Sequence, residues 1–311
     1  VDGLPANIGL LDVKLAADFA TSGFIYLSYM ERDVTAPRFG RAAGDPAFFP
    51  ERMAVLRARL SIGSTVAQLQ LASTIFRQEP YIVTYSGSGE PGGRIAPSPD
   101  GRYVFITSGD RQELDASLLF STANTLGKTI RILPDGQVPA DNPFASQPGG
   151  AAIWSLGHRN AYGLAFAPDG TLWSSEMGPA GGDELNQIRR GENYGWPAVS
   201  NGNHYDGGNI PDHAPGDGFA APAISWTPVI APAGMIFYSG TMFGDWRGDA
   251  ILTGLQSRGL VRVRLSGSTA TEMQRISLGE RVRDVAQAAD GSLWVLTDGS
   301  AGKLQRLTPT F

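Results

Sequence analysis

The chain has 311 residues, 25 basic against 30 acidic side chains, and no cysteine. A net charge of -5 leaves no basic footprint for nucleic acid or an anionic membrane; no apolar run approaches the ~18 residues of a membrane span, and the missing thiols exclude disulfides, thiolate metal sites and cysteine nucleophiles. Forty glycines and 21 prolines interrupt helices too often for a helical protein, while 42% apolar residues suffice for a core, so an all-β fold is expected.

In chain order, the first element is a hairpin over 10–29, LLDVKLAADFATSGFIYLSY, with a long connection, followed by a strand MAVLRARLS at 53–61. GSGEPG at 87–92 matches G-x-G-x-x-G, but a strand, turn and strand follow Pro91 where a pyrophosphate site needs a helix, so no dinucleotide is held there. The hairpin APSPDGRYVFITSGD at 96–110 recurs as AFAPDGTLWSSEMG at 165–178 and AQAADGSLWVLTDG at 286–299. Each is a short strand, a Pro/Ala-Asp-Gly turn and an alternating strand; Asp-Gly is the preferred two-residue hairpin connection because Gly accepts positive φ. Hairpins recurring every ~50 to 70 residues predict a β-propeller, with ligands at its central channel. No linker or break in composition divides the chain, so one domain over 1–311 is expected.

Polar residues concentrate in a few places. In GHRN at 157–160, Arg159 and Asn160 carry a guanidinium fork and an amide that suit a planar carboxylate, or else a structural salt bridge, and His158 reads as a structural histidine. GPAGGDE at 178–184 is a stiff loop whose carbonyls can point inward and whose Asp183 and Glu184 add hard oxygens; it is a calcium loop or an ordinary acidic connection. The segment 200–218 lacks repeat character and is expected to overhang the channel and set substrate preference, with His204 and His213 idle. Arg281 and Arg283, two apart in a strand, share one face and would demand an anion if buried; Arg262 and Arg264 show the same spacing and compete for that role. No Ser/His/Asp arrangement and no HExxH stands out.

The segments IGLLDV, GKTIRILPDGQVPADNPF, GHRN, GGDELNQIRRGENYGWP, SWTPVIAPAGMIFYSG, RVRD and WVLTDG follow one another across essentially the whole chain. Together they resemble the soluble quinoprotein aldose sugar dehydrogenases, also called glucose/sorbosone dehydrogenases. The resemblance implies a six-bladed β-propeller that binds pyrroloquinoline quinone (PQQ) and Ca2+ and oxidises the anomeric hydroxyl of a small sugar, passing electrons to an external acceptor. It implies that Arg159, Asn160, Arg281 and Arg283 clamp the cofactor, and that Asn7 and Gln256 stand at two further cofactor positions where relatives carry Gln and Lys. A calcium acting as Lewis acid on the quinone would rest on the backbone carbonyls of Gly178 and Pro179, and a second, structural calcium on Glu184 and Tyr194. Relatives carry about one more blade of chain before the segment matching Val1, so the N-terminal blade is expected to be incomplete. A start without Met fits removal of an export signal, and a periplasmic or secreted location is expected.

The departure lies at the base. The family's histidine, four residues before the arginine of its Gly-Arg-Leu strand, is matched by Glu90 in SGEPGGRI, and the acidic residue preceding it in some relatives is Gly89. A glutamate is ordinarily a weaker base than histidine at neutral pH unless burial changes it. Two readings follow. In one, Glu90 serves as the base of a PQQ-dependent sugar dehydrogenase; in the other, a diverged propeller without PQQ binds a carbohydrate or other anionic ligand, or acts as a lyase or hydrolase.

Overall fold

The structure, a computed structural model, describes residues 9–33, 35–36, 49–83 and 89–309. Asn7 therefore lies outside the described residues. The chain divides into two compact units, Val1–Asn160 and Ala161–Phe311.

The first unit holds two antiparallel sheets, each in sequence order: Leu10–Leu15, Phe24–Arg32, Glu51–Ile62 and Ala67–Arg77, then Gly92–Pro97, Val104–Ser108, Lys128–Ile132 and Ile153–Leu156. Ile95, Ile106, Ile130 and Ile153 of the second sheet pack with Tyr26, Met53 and Val55 of the first in one apolar core. In the other unit's first sheet the strands Asn160–Phe166, Leu172–Met177, Asp183–Gln187 and Ile224–Trp226 lie side by side, the first starting at the unit boundary; a second sheet comprises Pro232–Phe237, Ala250–Gly254, Gly259–Ser266 and Thr269–Ser277. A three-stranded sheet, Val282–Gln287, Leu293–Thr297 and Leu304–Leu307, and a small ribbon pairing Ala180–Gly181 with Gly202–Asn203 complete it.

Repeated meanders of this kind are the blades of a β-propeller, as the hairpin repeat predicts. The number of blades is a correction: among the described residues, five sheets of blade type stand where six are expected. Nor is the first an incomplete blade. The long hairpin of Glu51–Ile62 with Ala67–Arg77 supplies two strands that complete a four-stranded sheet with the Leu10–Arg32 hairpin. The sheet with fewer strands is the one over 282–307.

The Asp-Gly turns form by local chemistry, though in longer loops than a two-residue hairpin. Asp100, Asp169 and Asp290 each accept the N–H two residues on, from Arg102, Thr171 and Ser292, at 3.0, 2.9 and 2.9 Å. The following glycines take φ of +72°, +85° and +86°. Aspartate reproduces a backbone turn with its own carboxylate while glycine enters the left-handed region without steric cost. A fourth copy sits at Asp135 and Gly136, where Gln137 N–H donates to Asp135 Oδ1 at 3.0 Å. The long connection in 10–29 is instead a short helix, Phe19–Ser22, ended by Gly23 at φ +70°.

Central strands such as Val104–Ser108, Lys128–Ile132 and Ala250–Gly254 are buried at every position, whereas Leu304–Leu307 alternates in exposure. A strand flanked by two others and covered on both faces loses the period-two signal. Thus a polar side chain on a central strand, such as Lys128, must find its partners inside.

Candidate functional site

The strand Gly92–Pro97 begins, and Val104–Ser108 ends, at the same edge of their sheet, and there the backbone makes unusually close approaches. A Cβ on Gly109 would lie 2.0 Å from the Glu90 carbonyl oxygen, and one on Gly92 would lie 2.8 Å from Gly109 N and 2.9 Å from Thr107 O. Glycine at both positions lets the 89–92 turn press onto the 109–112 turn, where Gly109 N–H donates to Pro91 O at 3.0 Å. Three non-glycine residues here are left-handed: Glu90 at φ +43°, Arg111 at +62° and Gln112 at +64°. Such conformations cost ~1–3 kcal/mol each and persist where surrounding structure imposes them, often at functional sites.

This strained turn aims Glu90 at Arg159. Arg159 Nη2 reaches Glu90 Oε1 at 2.6 Å, with the guanidinium side chain 8% exposed and the glutamate 16%. Asn160 is buried, and its Oδ1 accepts the Gly92 N–H at 3.3 Å, so the amide holds the turn that carries Glu90. Of the residues expected to act together, the structure brings Glu90, Arg159 and Asn160 into one cluster. His158, as expected, is structural: it is buried with Nε2 at 2.8 Å from Ser155 Oγ and 3.3 Å from Thr129 Oγ1.

One residue of this cluster escaped the sequence reading. Asp110 is fully buried, and its N–H donates to Arg159 O at 2.8 Å. Burial raises its carboxyl well above the ordinary aspartate range, the charge and hydrogen bond of Glu90 raise it further, and Arg159 offsets only part. The available signal was the strand of SGD at 108–110 ending in a carboxylate beside a glycine, in a repeat whose other copies end likewise.

In the second unit the 178–184 loop is equally tight. A Cβ on Gly178 would meet Gly181 O and Gly182 O at 2.3 Å each. Asp183 is committed to this loop: its Oδ1 accepts Gly178 N–H at 2.9 Å and its Oδ2 accepts Ala231 N–H at 2.6 Å. The loop backbone thus folds back on itself so closely at Gly178 that no side chain has room there. Among the described residues, no three His, Cys, Asp or Glu side chains are grouped to hold a metal.

Glu184 is buried, with Oε2 accepting from Asn186 Nδ2 at 2.9 Å and Oε1 3.7 Å from His213 Nε2. Burial raises its carboxyl, with Glu176 adding to the rise, while His213 and Asn186 offset part. His213, expected on an exposed overhanging loop, has a buried side chain that lies between Glu184 and Asp217. Tyr194 turns its hydroxyl to Gln187 O and accepts from Arg189 N–H at 2.8 Å; burial raises its phenol. Its hydroxyl thus pins its own loop.

The rivalry between the two arginine pairs is resolved by their partners. Arg262 and Arg264 both bind Asp249, at 2.5 and 2.9 Å, and both donate to Asp245 O, so they are consumed within their sheet. Arg281 lies just before the strand Val282–Gln287, and a register shift falls between Val282 and Asp284, yet Arg281 and Arg283 share one carboxylate, Asp298, at 3.0 Å each. Their side chains are 49% and 36% exposed. Burial raises the Asp298 carboxyl but the two guanidinium hydrogen bonds outweigh it, so the net shift is downward. Two cations on one carboxylate leave a surplus positive charge facing solvent, which suits a polycarboxylate. Gln256 is exposed, next to the turn where its N–H donates to Ile230 O at 3.0 Å.

Residues 5–306 match the family model described as Glucose / Sorbosone dehydrogenase. The chain belongs to this family. It is 35% identical over 313 residues to an Escherichia coli (strain K12) relative described as aldose sugar dehydrogenase YliI, covering 97% of this chain and 77% of that one. Against quinoprotein glucose dehydrogenase B of Acinetobacter calcoaceticus it is 28% identical over 299 residues, which cover 71% of this chain and 61% of the relative. The crystal structure of the soluble aldose sugar dehydrogenase from Escherichia coli in the apo-form superposes with a TM-score of 0.85 at 35% identity, covering 100% of this chain and 86% of that one. The PQQ-bound aldose sugar dehydrogenase from Streptomyces coelicolor gives a TM-score of 0.70 at 26% identity, with 98% and 81% covered. The propeller fold of the family is therefore the fold of this chain. No helix among the described residues is long and apolar enough to cross a membrane.

Proposed function

We propose that this family member is a PQQ- and calcium-dependent dehydrogenase, a single propeller domain over 1–311 that oxidises the anomeric hydroxyl of an aldose and passes electrons to an external acceptor. The observation that carries the proposal is the Glu90–Arg159 cluster: a carboxylate presented by a strained turn at the position where relatives carry the base. A periplasmic or secreted location belongs to the same reading.

The chain's own residues have separable tasks. Glu90 accepts the proton of the anomeric hydroxyl as the carbon–hydrogen bond of the same carbon breaks, and Arg159 holds the Glu90 carboxylate in place. Arg281 and Arg283 supply the surplus positive charge for cofactor carboxylates, and Asn160 orients the turn. The Gly178–Pro179 carbonyls, with the Glu184 and Tyr194 region, would hold calcium. When bound, PQQ supplies the two-electron acceptor that the side chains of this protein lack.

The same ion pair favours a second reading. Because Glu90 already neutralises Arg159, that guanidinium is less available to an incoming anion than the resemblance implies, as a propeller diverged towards another ligand would have it.

Titration of the apo-protein with PQQ, with and without calcium, followed by calorimetry and by dye reduction with a panel of aldoses, separates the two. The dehydrogenase reading expects calcium-dependent binding and sugar-dependent dye reduction. Absence of binding at high PQQ concentration would overturn it and turn attention to other anionic ligands.

A further inference from the structure

We propose that Lys128 is a positioning residue whose amine, giving one hydrogen to each of the Leu119 and Leu126 carbonyls, clasps the segment 110–127 and so holds the 110–112 turn against Glu90. The effect on turnover rests on the dehydrogenase reading; the clasp does not.

The segment is a closed loop, since Gly127 N–H donates to Gly109 O at 3.1 Å. Its beginning lies on the turn that bears Glu90: Gly109 N–H donates to Pro91 O at 3.0 Å, and Arg111 N–H points to Glu90 O at 3.4 Å. Its end is fixed elsewhere, with Thr125 N–H on Glu79 O at 2.9 Å and His158 N–H on Gly127 O at 3.2 Å. Between the two runs the short helix Ala116–Leu119, whose last carbonyls find no partner within the helix. Lys128, the first residue of the next strand, reaches back and donates to Leu119 O and to Leu126 O. The middle and the end of the segment are thereby gathered on one nitrogen. No other donor among the described residues serves either carbonyl.

Hydrogen stoichiometry selects the form of the amine. Lys128, Leu119 and Leu126 each have no exposure. A neutral amine has two hydrogens for the two carbonyls, whereas an ammonium has a third, which among the described residues meets no acceptor. An unpaired buried charge is costly as well. The flanking strands Val104–Ser108 and Ile153–Leu156 contain no charged residue, and Arg131 of its own strand is paired with Asp141. The charged groups of the segment are turned elsewhere: Asp110 to Gln112 N–H, Arg111 to Gln78, Glu113 to Leu114 N–H, and Asp115 to Ser117 N–H. Burial is accordingly the one cause that pushes the amine down to about 7 from 10.5.

The clasp is therefore sensitive to acid. Opening of the segment lets the amine regain its ordinary affinity for a proton, so opening takes up a proton between about pH 7 and 10.5. The opening constant should rise as pH falls through that range and level off below about 7.

The test compares wild type with Lys128→Met, which keeps a side chain of similar length and removes both hydrogen bonds. Hydrogen–deuterium exchange of the apo-protein at pH 8, read by mass spectrometry, should quicken at least ~10-fold in residues 113–126 and stay unchanged in the sheets of the second unit. Dye reduction should show kcat lowered ~10-fold with KM within about twofold of wild type. A third readout needs no variant. The chain has only three lysines, Lys14, Lys128 and Lys303, so carbon-13 labelling at lysine Cε gives three resonances, of which one should titrate near pH 7.

Three lysine resonances that all remain those of ammonium up to pH 9 would overturn the two-hydrogen clasp, whether or not Lys128→Met folds. Exchange that is unchanged in the variant, or quickened evenly along the chain, would overturn it too. Local opening with wild-type kcat would overturn the positioning of Glu90. Local opening in a protein without any PQQ-dependent turnover would uphold the clasp and sink the dehydrogenase reading alone.

Discussion

Gly109→Ala tests whether the close approach of two turns sets the position of Glu90. Gly109 does not have positive φ, so alanine there is strained by contact alone. Its Cβ would sit 2.0 Å from Glu90 O, whereas ordinary contact begins at 3.4 Å, so the Glu90 carbonyl must retreat by ~1.4 Å. The Gly109 N–H bond to Pro91 O, 3.0 Å long, spans the same gap and must stretch with it. Overpacking of this kind costs ~1–3 kcal/mol. Misplacing a reacting group by ~1 Å costs ~100-fold in rate, so kcat should fall by that order with a smaller change in KM. Gly101→Ala is the control, since Gly101 has φ +72° with its nearest neighbour, Ala17 Cβ, at 3.4 Å. It should lose ~1 kcal/mol of stability and keep its turnover. Steady-state dye reduction and thermal melts of both variants decide the matter. Wild-type kcat in Gly109→Ala would refute the reasoning that this contact aims the base.

Three further outcomes are expected. Glu90→Gln should lose most PQQ-dependent turnover, ~100-fold or more, and Glu90→His should restore part of it; full turnover in the glutamine variant would remove Glu90 as the base. Lys128 is fully buried with its amine on the carbonyls of Leu119 and Leu126, and burial pushes it down to about 7 from 10.5. Because the unfolded chain then binds more protons, stability should rise with pH between about 7 and 10.5 by up to ~1.4 kcal/mol per pH unit relative to Lys128→Met, a difference that denaturant titrations at several pH values would detect and that parallel curves would contradict. Asp183→Asn cannot accept from both Gly178 and Ala231, so it should cost ~1–3 kcal/mol and weaken calcium binding in calorimetry; unchanged calcium affinity would free the 178–184 loop of the role proposed for it.

How much of this was legible beforehand follows from the range of each interaction. The Asp-Gly turns at 100–101, 169–170 and 290–291 could be read directly, because the carboxylate and the glycine act within three residues of each other. The all-β class followed from composition for the same reason: glycine and proline penalise helices wherever they stand.

Partner choice was decided by the tertiary structure. The sequence alone treats Arg262 and Arg264 as equals of Arg281 and Arg283; only the fold sets Asp249 against one pair and Asp298 against the other. Asp183 reads as a free hard-oxygen ligand until the loop closes and two backbone N–H groups claim it. The count of six blades came from the family resemblance, and only the folded chain shows how the described strands are shared among five sheets of blade type. Asp110 gave the least warning. A carboxyl's charge depends on what lies beside it and how much water remains, and the groups that matter, Glu90 and Arg159, lie 20 and 49 residues away in sequence. Short-range chemistry wrote the turns into the sequence, while burial and long-range contact, which exist only once the chain has folded, determined which charges survive and what each one holds.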